Sequence, residues 1–147
     1  MMRDYVRSAV RDPNMVVRNL AIEITRSCPN KDFRCEVVEV WDWVRNNIRF
    51  VRDIRGVETL QKPARTIELG VGDCDDHVIL ISSILEAIGH PTRFVAVGFR
   101  PGEFEHVFAE TRWGDRWVTL ETTVPGVHIG WYPPNVRSRM VQNIQSY

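Results

Sequence analysis

Apolar residues recur at helical spacing through the first ninety positions and at strand spacing from Thr92 onward, with Gly89 and Pro91 marking the change. Asp4 to Arg11 are expected as a short helix. Asp12-Pro13 then offer a cap and a first-turn proline to a second helix. Its Met15, Val16, Leu20, Ala21 and Ile24 run to about Arg26, before Cys28-Pro29-Asn30 stops it. From Asp32 a third stripe of Phe33, Val37, Val40, Trp41, Val44 and Ile48 repeats at the same period, its aromatics expected in the core. Ile48-Arg49-Phe50-Val51-Arg52 alternates, which predicts a short extended segment. Asp53 to Val71 holds Gly56, Pro63 and Gly70 with few periodic apolar positions and reads as an unusually long connector, the kind that often carries function.

The connector leads into Gly72-Asp73-Cys74-Asp75-Asp76-His77, followed by the apolar run from Val78 to Ile88. Asp73 is an N-cap residue type, so Cys74 falls in the first turn of a buried helix. There the unpaired N–H groups and the positive end of the helix dipole favour thiolate, the nucleophilic form. The flanking Asp73, Asp75 and Asp76 act in the opposite sense, so activation needs a cationic partner as well. Asp73 and Asp76 are expected to cap the helix.

Beyond the helix, Thr92 to Phe99, His106 to Thr111 and Trp117 to Thr122 are rich in strand formers, and Gly114-Asp115 suits a two-residue hairpin loop. With Trp113 opposite Arg116, counting places His106 against Thr123 and Phe108 against Glu121. His106 and Glu121 become diagonal neighbours on one face, roughly 7–8 Å apart between backbones and within a glutamate's reach. Trp113 and Trp117 flank the turn, where packing of the hairpin is their expected role. Helices followed by antiparallel strands define an α+β class. The tail from Val124, with Pro125, Gly126, Gly130, Pro133 and Pro134, should begin irregular, and 136–147 suit a last short helix.

At 147 residues the chain is expected as one domain, with a core over about 37–125, a helical N-terminal part over 4–36 and a tail over 124–147. Nineteen basic and nineteen acidic side chains cancel, which argues against nucleic acid or an anionic membrane as partner. All the bases but Lys31 and Lys62 are arginine, a bias that suits planar ion pairing or equally reflects codon usage. No apolar run is long enough to cross a bilayer, and Met1-Met2-Arg3-Asp4-Tyr5 lacks a signal-peptide core, so the expected setting is cytoplasmic. Cys28, Cys35 and Cys74 are odd in number; a disulfide is not expected, and Cys28 and Cys35 read as small buried apolar groups. Asp73, Asp75, Asp76 and His77 point in different directions along a helix and cannot converge on one ion, so neither metal nor other cofactor is called for. His77, His90 and His128 have no evident partner and read as structural or surface residues.

Cys74, His106 and Glu121 thus form a candidate nucleophile, base and base-orienting acid, in that chain order. Acyl transfer also needs donors for an oxyanion. The Cys74 backbone N–H is one candidate, and Gln61, in the long connector, is the second. The stretches Gly72-Asp73-Cys74-Asp75-Asp76, Ala87-Ile88-Gly89-His90-Pro91-Thr92-Arg93-Phe94-Val95, Glu105-His106-Val107-Phe108-Ala109-Glu110 and Arg116-Trp117-Val118-Thr119-Leu120-Glu121-Thr122-Thr123 resemble the transglutaminase-like superfamily of papain-type cysteine enzymes. The resemblance implies a central Cys-bearing helix packed on a small antiparallel sheet, and a thiol that forms an acyl-enzyme with a peptide or side-chain amide. Cys74 matches the family's nucleophile and His106 its base. The third position usually holds aspartate, where this chain has Glu121. The alternative is a non-catalytic module of the same fold that binds a protein partner in a larger assembly, among them a viral particle.

Overall fold

The computed structural model of the chain describes residues 1–52 and 60–145. Five helices precede or build the centre: α1 (Met2–Val10), α2 (Val16–Ile24), α3 (Phe33–Asn47), α4 (Pro63–Leu69) and α5 (Cys74–Ala87). Strands β1 (Arg49–Phe50) and β2 (Val71–Gly72) form a small parallel pair, and β3 (Thr92–Gly98), β4 (His106–Trp113), β5 (Arg116–Leu120) and β6 (Ser138–Asn143) form an antiparallel sheet ordered β5-β4-β3-β6. This is the expected α+β arrangement of a Cys-bearing helix against a small antiparallel sheet.

α5 organises the packing. Every residue from Asp76 to Glu86 is buried, because α1 to α4 cover one side of the helix and β3 and β4 the other. Ile79, Leu80, Ile84 and Leu85 are fully enclosed, each burial contributing roughly 1.5–3 kcal/mol. Asp73 starts the helix as its N-cap: its side chain accepts from the Asp76 N–H while the Asp76 carboxylate accepts from the Asp73 N–H, a reciprocal capping box. Gly72 is required just before it, since a Cβ there would lie 2.7 Å from the Asp76 Cβ. Asp32 caps α3 by accepting from the Cys35 N–H, without a reciprocal bond.

The hairpin has the expected register, Trp113 opposite Arg116 and Ala109 opposite Leu120, and Gly114 takes the positive φ (+69°) that tight hairpin turns require. Trp113 and Trp117 belong to the hairpin: Arg93 and Arg112 lie over the Trp117 ring, and Arg34 over Trp113.

Several elements differ from the sequence reading. Asp12 accepts from the Asn14 N–H in a turn, so α2 begins only at Val16, after Met15 in a left-handed conformation; Val17 and Ala21, not Met15 and Val16, are its buried residues. Phe33, the first of the third stripe, is 63% exposed. Within the long connector, Pro63 at the first helical position and left-handed Gly70 at the end define α4, whereas 53–59 lie outside the described residues. The expected C-terminal helix is instead β6, because β3 would otherwise present an unpaired edge; Val141 sits opposite Val95 in the ladder. Cys28 and Cys35 form a disulfide with Cα atoms 5.7 Å apart. The capped start of α3 and the turn after α2 bring them within bridging range, and both are only half-buried.

Candidate active site

The site lies where the first turn of α5, the start of β4 and the end of β5 meet. Cys74 is the first residue of α5, half-buried, and carries the free thiol. As first residue, its backbone N–H has no acceptor within the helix. His106 opens β4 with its side chain 19% exposed, and its Nε2 lies 2.6 Å from Glu121 Oε2. Its other nitrogen, Nδ1, is left for the sulfur, and the Cys74 side chain is close enough to act on the imidazole and raise its pKa. Thus the three candidates named from sequence are brought together.

Glu121 is almost fully enclosed, 1% exposed, immediately past the last residue of β5. Its Oε1 accepts from the Thr123 N–H (3.0 Å) and hydroxyl (2.9 Å), leaving Oε2 to His106. From α3, the Trp41 indole N–H donates to the Glu121 carbonyl at 2.9 Å. The additional methylene of glutamate spans the diagonal between the two strands, so a carboxylate reaches the ring from this position.

Electrostatics follow from these contacts. Burial pulls the His106 imidazole down, but hydrogen bonds and charge from Cys74 and Glu121 outweigh it and raise its pKa to about 9. Burial likewise pushes Glu121 up, yet the His106 hydrogen bond and charge and the Thr123 donors prevail, and the carboxyl ends below its ordinary value. At neutral pH the pair is an imidazolium and a carboxylate, the cationic partner that the acidic flanks of Cys74 require. Burial raises Asp76 to about 6 against hydrogen bonds from the Gln61 and Asp73 N–H groups, and the charge of Asp73 adds to the rise.

Gln61 is placed beside the start of α5, but as a brace. Its backbone N–H donates to Asp76 Oδ1 at 2.8 Å, and its side-chain amide donates to Thr66 Oγ1 (3.2 Å) and the Val71 carbonyl (3.1 Å). With both amide protons engaged, Gln61 does not present a free oxyanion donor here, contrary to the role expected from sequence. The histidines without evident partners also find them: His90 Nε2 lies 2.7 Å from Glu36, His77 Nδ1 3.0 Å from the Thr122 hydroxyl, and His128 Nδ1 2.8 Å from the Ile129 carbonyl. Trp41, Thr123 and His77 were not singled out for the site. A buried indole N–H needs an acceptor, and position 77 follows Cys74 by one helical turn; those were the available signals.

An α+β fold with a thiol at the start of its central helix, beside a strand imidazole that a carboxylate holds, is the architecture of papain-type proteins. The sequence matches the model of the transglutaminase-like superfamily over residues 18–122, and the chain belongs to that family. No curated protein shows significant similarity to it. Among solved structures, it is similar to a protein from Parabacteroides distasonis provisionally described as a protease (14% identity, TM-score 0.63), over 83% of this chain and 26% of the other. A protein from Cytophaga hutchinsonii, provisionally described as a cysteine protease, matches with 22% identity and a TM-score of 0.59, over 73% of this chain and 36% of the other. Rad4–Rad23 bound to a 6-4 photoproduct lesion matches with 15% identity and a TM-score of 0.52, over 80% and 35%. The chain therefore spans about a quarter to a third of the length of these neighbours, which share its fold.

Proposed function

We propose that the protein is a transglutaminase-like cysteine enzyme acting on a peptide or side-chain amide. The observation that carries this reading is the imidazole of His106, held by Glu121 at 2.6 Å on one side and close enough to Cys74 on the other for the sulfur to raise its pKa. Cys74 Sγ attacks the amide carbonyl carbon, and the Cys74 N–H donates to the oxygen as it takes up negative charge. Collapse breaks the C–N bond, and His106 gives its proton to the leaving amine, so that a thioester remains on Cys74. Water or a second amine, deprotonated by His106, attacks the thioester. The acid or the new amide leaves, and the thiolate–imidazolium pair is restored. Glu121 keeps the imidazole aimed at the sulfur throughout.

Fold alone does not choose this reading, since the similar Rad4–Rad23 structure is bound to damaged DNA. The second reading, a module that binds a protein partner, is favoured by the engaged amide of Gln61. Incubation with glutamine-containing peptides and a primary amine, followed by mass spectrometry, separates the two. A hydrolysed or amine-linked product, absent with Cys74→Ala, supports the enzyme. Absence of product together with absence of a trapped acyl-enzyme adduct supports the module. Among the described residues no helix is long and apolar enough to cross a membrane; the cytoplasm expected from the sequence is at odds with the Cys28–Cys35 bond, which an oxidising compartment favours.

A further inference from the structure

Resting on the reading above, we infer that His77 is a positioning residue, the strut that fixes the distance between the helix bearing Cys74 and the turn bearing Glu121. His77 stands three residues beyond Cys74, one turn along α5, so both side chains project from the same side of the helix. Its ring is fully buried, 0% exposed, and its Nδ1 lies 3.0 Å from the hydroxyl of Thr122, the residue that follows Glu121. The contacts close a ring: Cys74 to His106, His106 to Glu121, the adjacent Thr122 to His77, and His77 back through one helical turn to Cys74.

The chemistry of position 77 points away from simple core filling. His77 Nε2 is buried without a hydrogen-bond partner, and the Arg49 backbone nearby favours a protonated ring. A leucine or phenylalanine would fill the space against Phe50, whose ring centroid is 6.4 Å away, and would bury no unpaired ring nitrogen. What the imidazole adds is the acceptor for Thr122. The charged groups that act on it are Glu121 and Asp73, which favour its protonation; burial overrides them and holds it below its ordinary value. In the neutral tautomer with its proton on Nε2, the ring accepts the Thr122 O–H at Nδ1. Trp41 holds the Glu121 carbonyl from α3. His77 therefore supplies the hold that comes from the nucleophile's own helix.

The test uses the whole chain, iodoacetamide as probe, and imidazole NMR of His106. His77→Phe and Thr122→Val break the same hydrogen bond from opposite sides, and each is expected to slow carbamidomethylation of Cys74 at pH 7 about tenfold or more. Each also lowers the His106 titration, as Glu121 drifts from the ring. His77→Gln, whose amide oxygen can accept from Thr122, recovers part of both. Ser83→Ala removes a buried hydrogen bond from the same helix outside the ring and leaves both readouts unchanged. If His77→Phe fails to fold, Thr122→Val at its half-buried position decides. A fast wild-type thiol with both variants within twofold and an unshifted His106 overturns the positioning role alone. A wild-type thiol no faster than free cysteine overturns the thiol reading, and this inference with it.

Discussion

Replacing Glu121 by glutamine removes one charge from the site with little change in shape. The rise of His106 from 6.5 to about 9 corresponds to about 3 kcal/mol of preference for the imidazolium, at about 1.4 kcal/mol per tenfold change in proton affinity. Cys74 and Glu121 supply that preference jointly against the burial of the ring. The size is reasonable, since unit charges about 4 Å apart at an effective dielectric of about 20 attract by about 4 kcal/mol before desolvation. In Glu121→Gln the burial remains and the carboxylate's hydrogen bond and charge are weakened or gone, so His106 should titrate clearly below the wild type's value of about 9. The four histidines can be followed by imidazole nitrogen–proton correlation spectra across pH 5–10, with His106→Gln to assign the resonance. A variant that titrates where the wild type does would refute an ion pair as the source of the shift.

The same pair sets a pH dependence of stability. The contribution of His106 is complete below 6.5 and lost as pH rises through about 9, and that of Glu121 is present above 4.5 and lost as pH falls through its depressed value; the Tm gap between wild type and Glu121→Gln is therefore widest between 4.5 and 6.5 and narrows on either side. Trp41→Phe leaves the buried Glu121 carbonyl unpaired and should cost about 1–3 kcal/mol in urea unfolding, with no loss expected if that bond is idle. Asp73→Ala removes the capping box and should cost about 1 kcal/mol, lowering Tm by about 2–4 °C, while Asp73→Ser retains most of it. The Cys28–Cys35 bond, closing a separation of 7 residues, should contribute about 2–3 kcal/mol; thiol titration of the unfolded, unreduced protein should find Cys74 alone, and three reactive thiols would contradict the bond.

Local signals were sufficient for much of this arrangement. Asp73 is a cap whose side chain has few better uses, and Gly114-Asp115 sets the hairpin register, from which the meeting of His106 with Glu121 follows by counting. What escaped the sequence depended on contacts distant along the chain. β6 is a strand because β3 offers an edge, a fact absent from residues 138–143 themselves. The disulfide depends on how a turn and a helix start approach, which spacing alone does not give. Gln61 has the residue type of an oxyanion donor, but its protons go to Thr66 and Val71, and only the fold of the connector shows that competition. The bonds from Trp41 and His77 to the turn at Glu121 span 80 and 45 residues, beyond any local pattern.

The most direct measurement is the rate at which iodoacetamide modifies Cys74 at neutral pH in the native protein, beside His106→Asn and the wild type unfolded in urea. A thiol paired with an imidazolium reacts faster than the unfolded chain's thiol and loses that advantage in His106→Asn. Equal rates in all three samples would contradict a working thiol–imidazole pair in this protein.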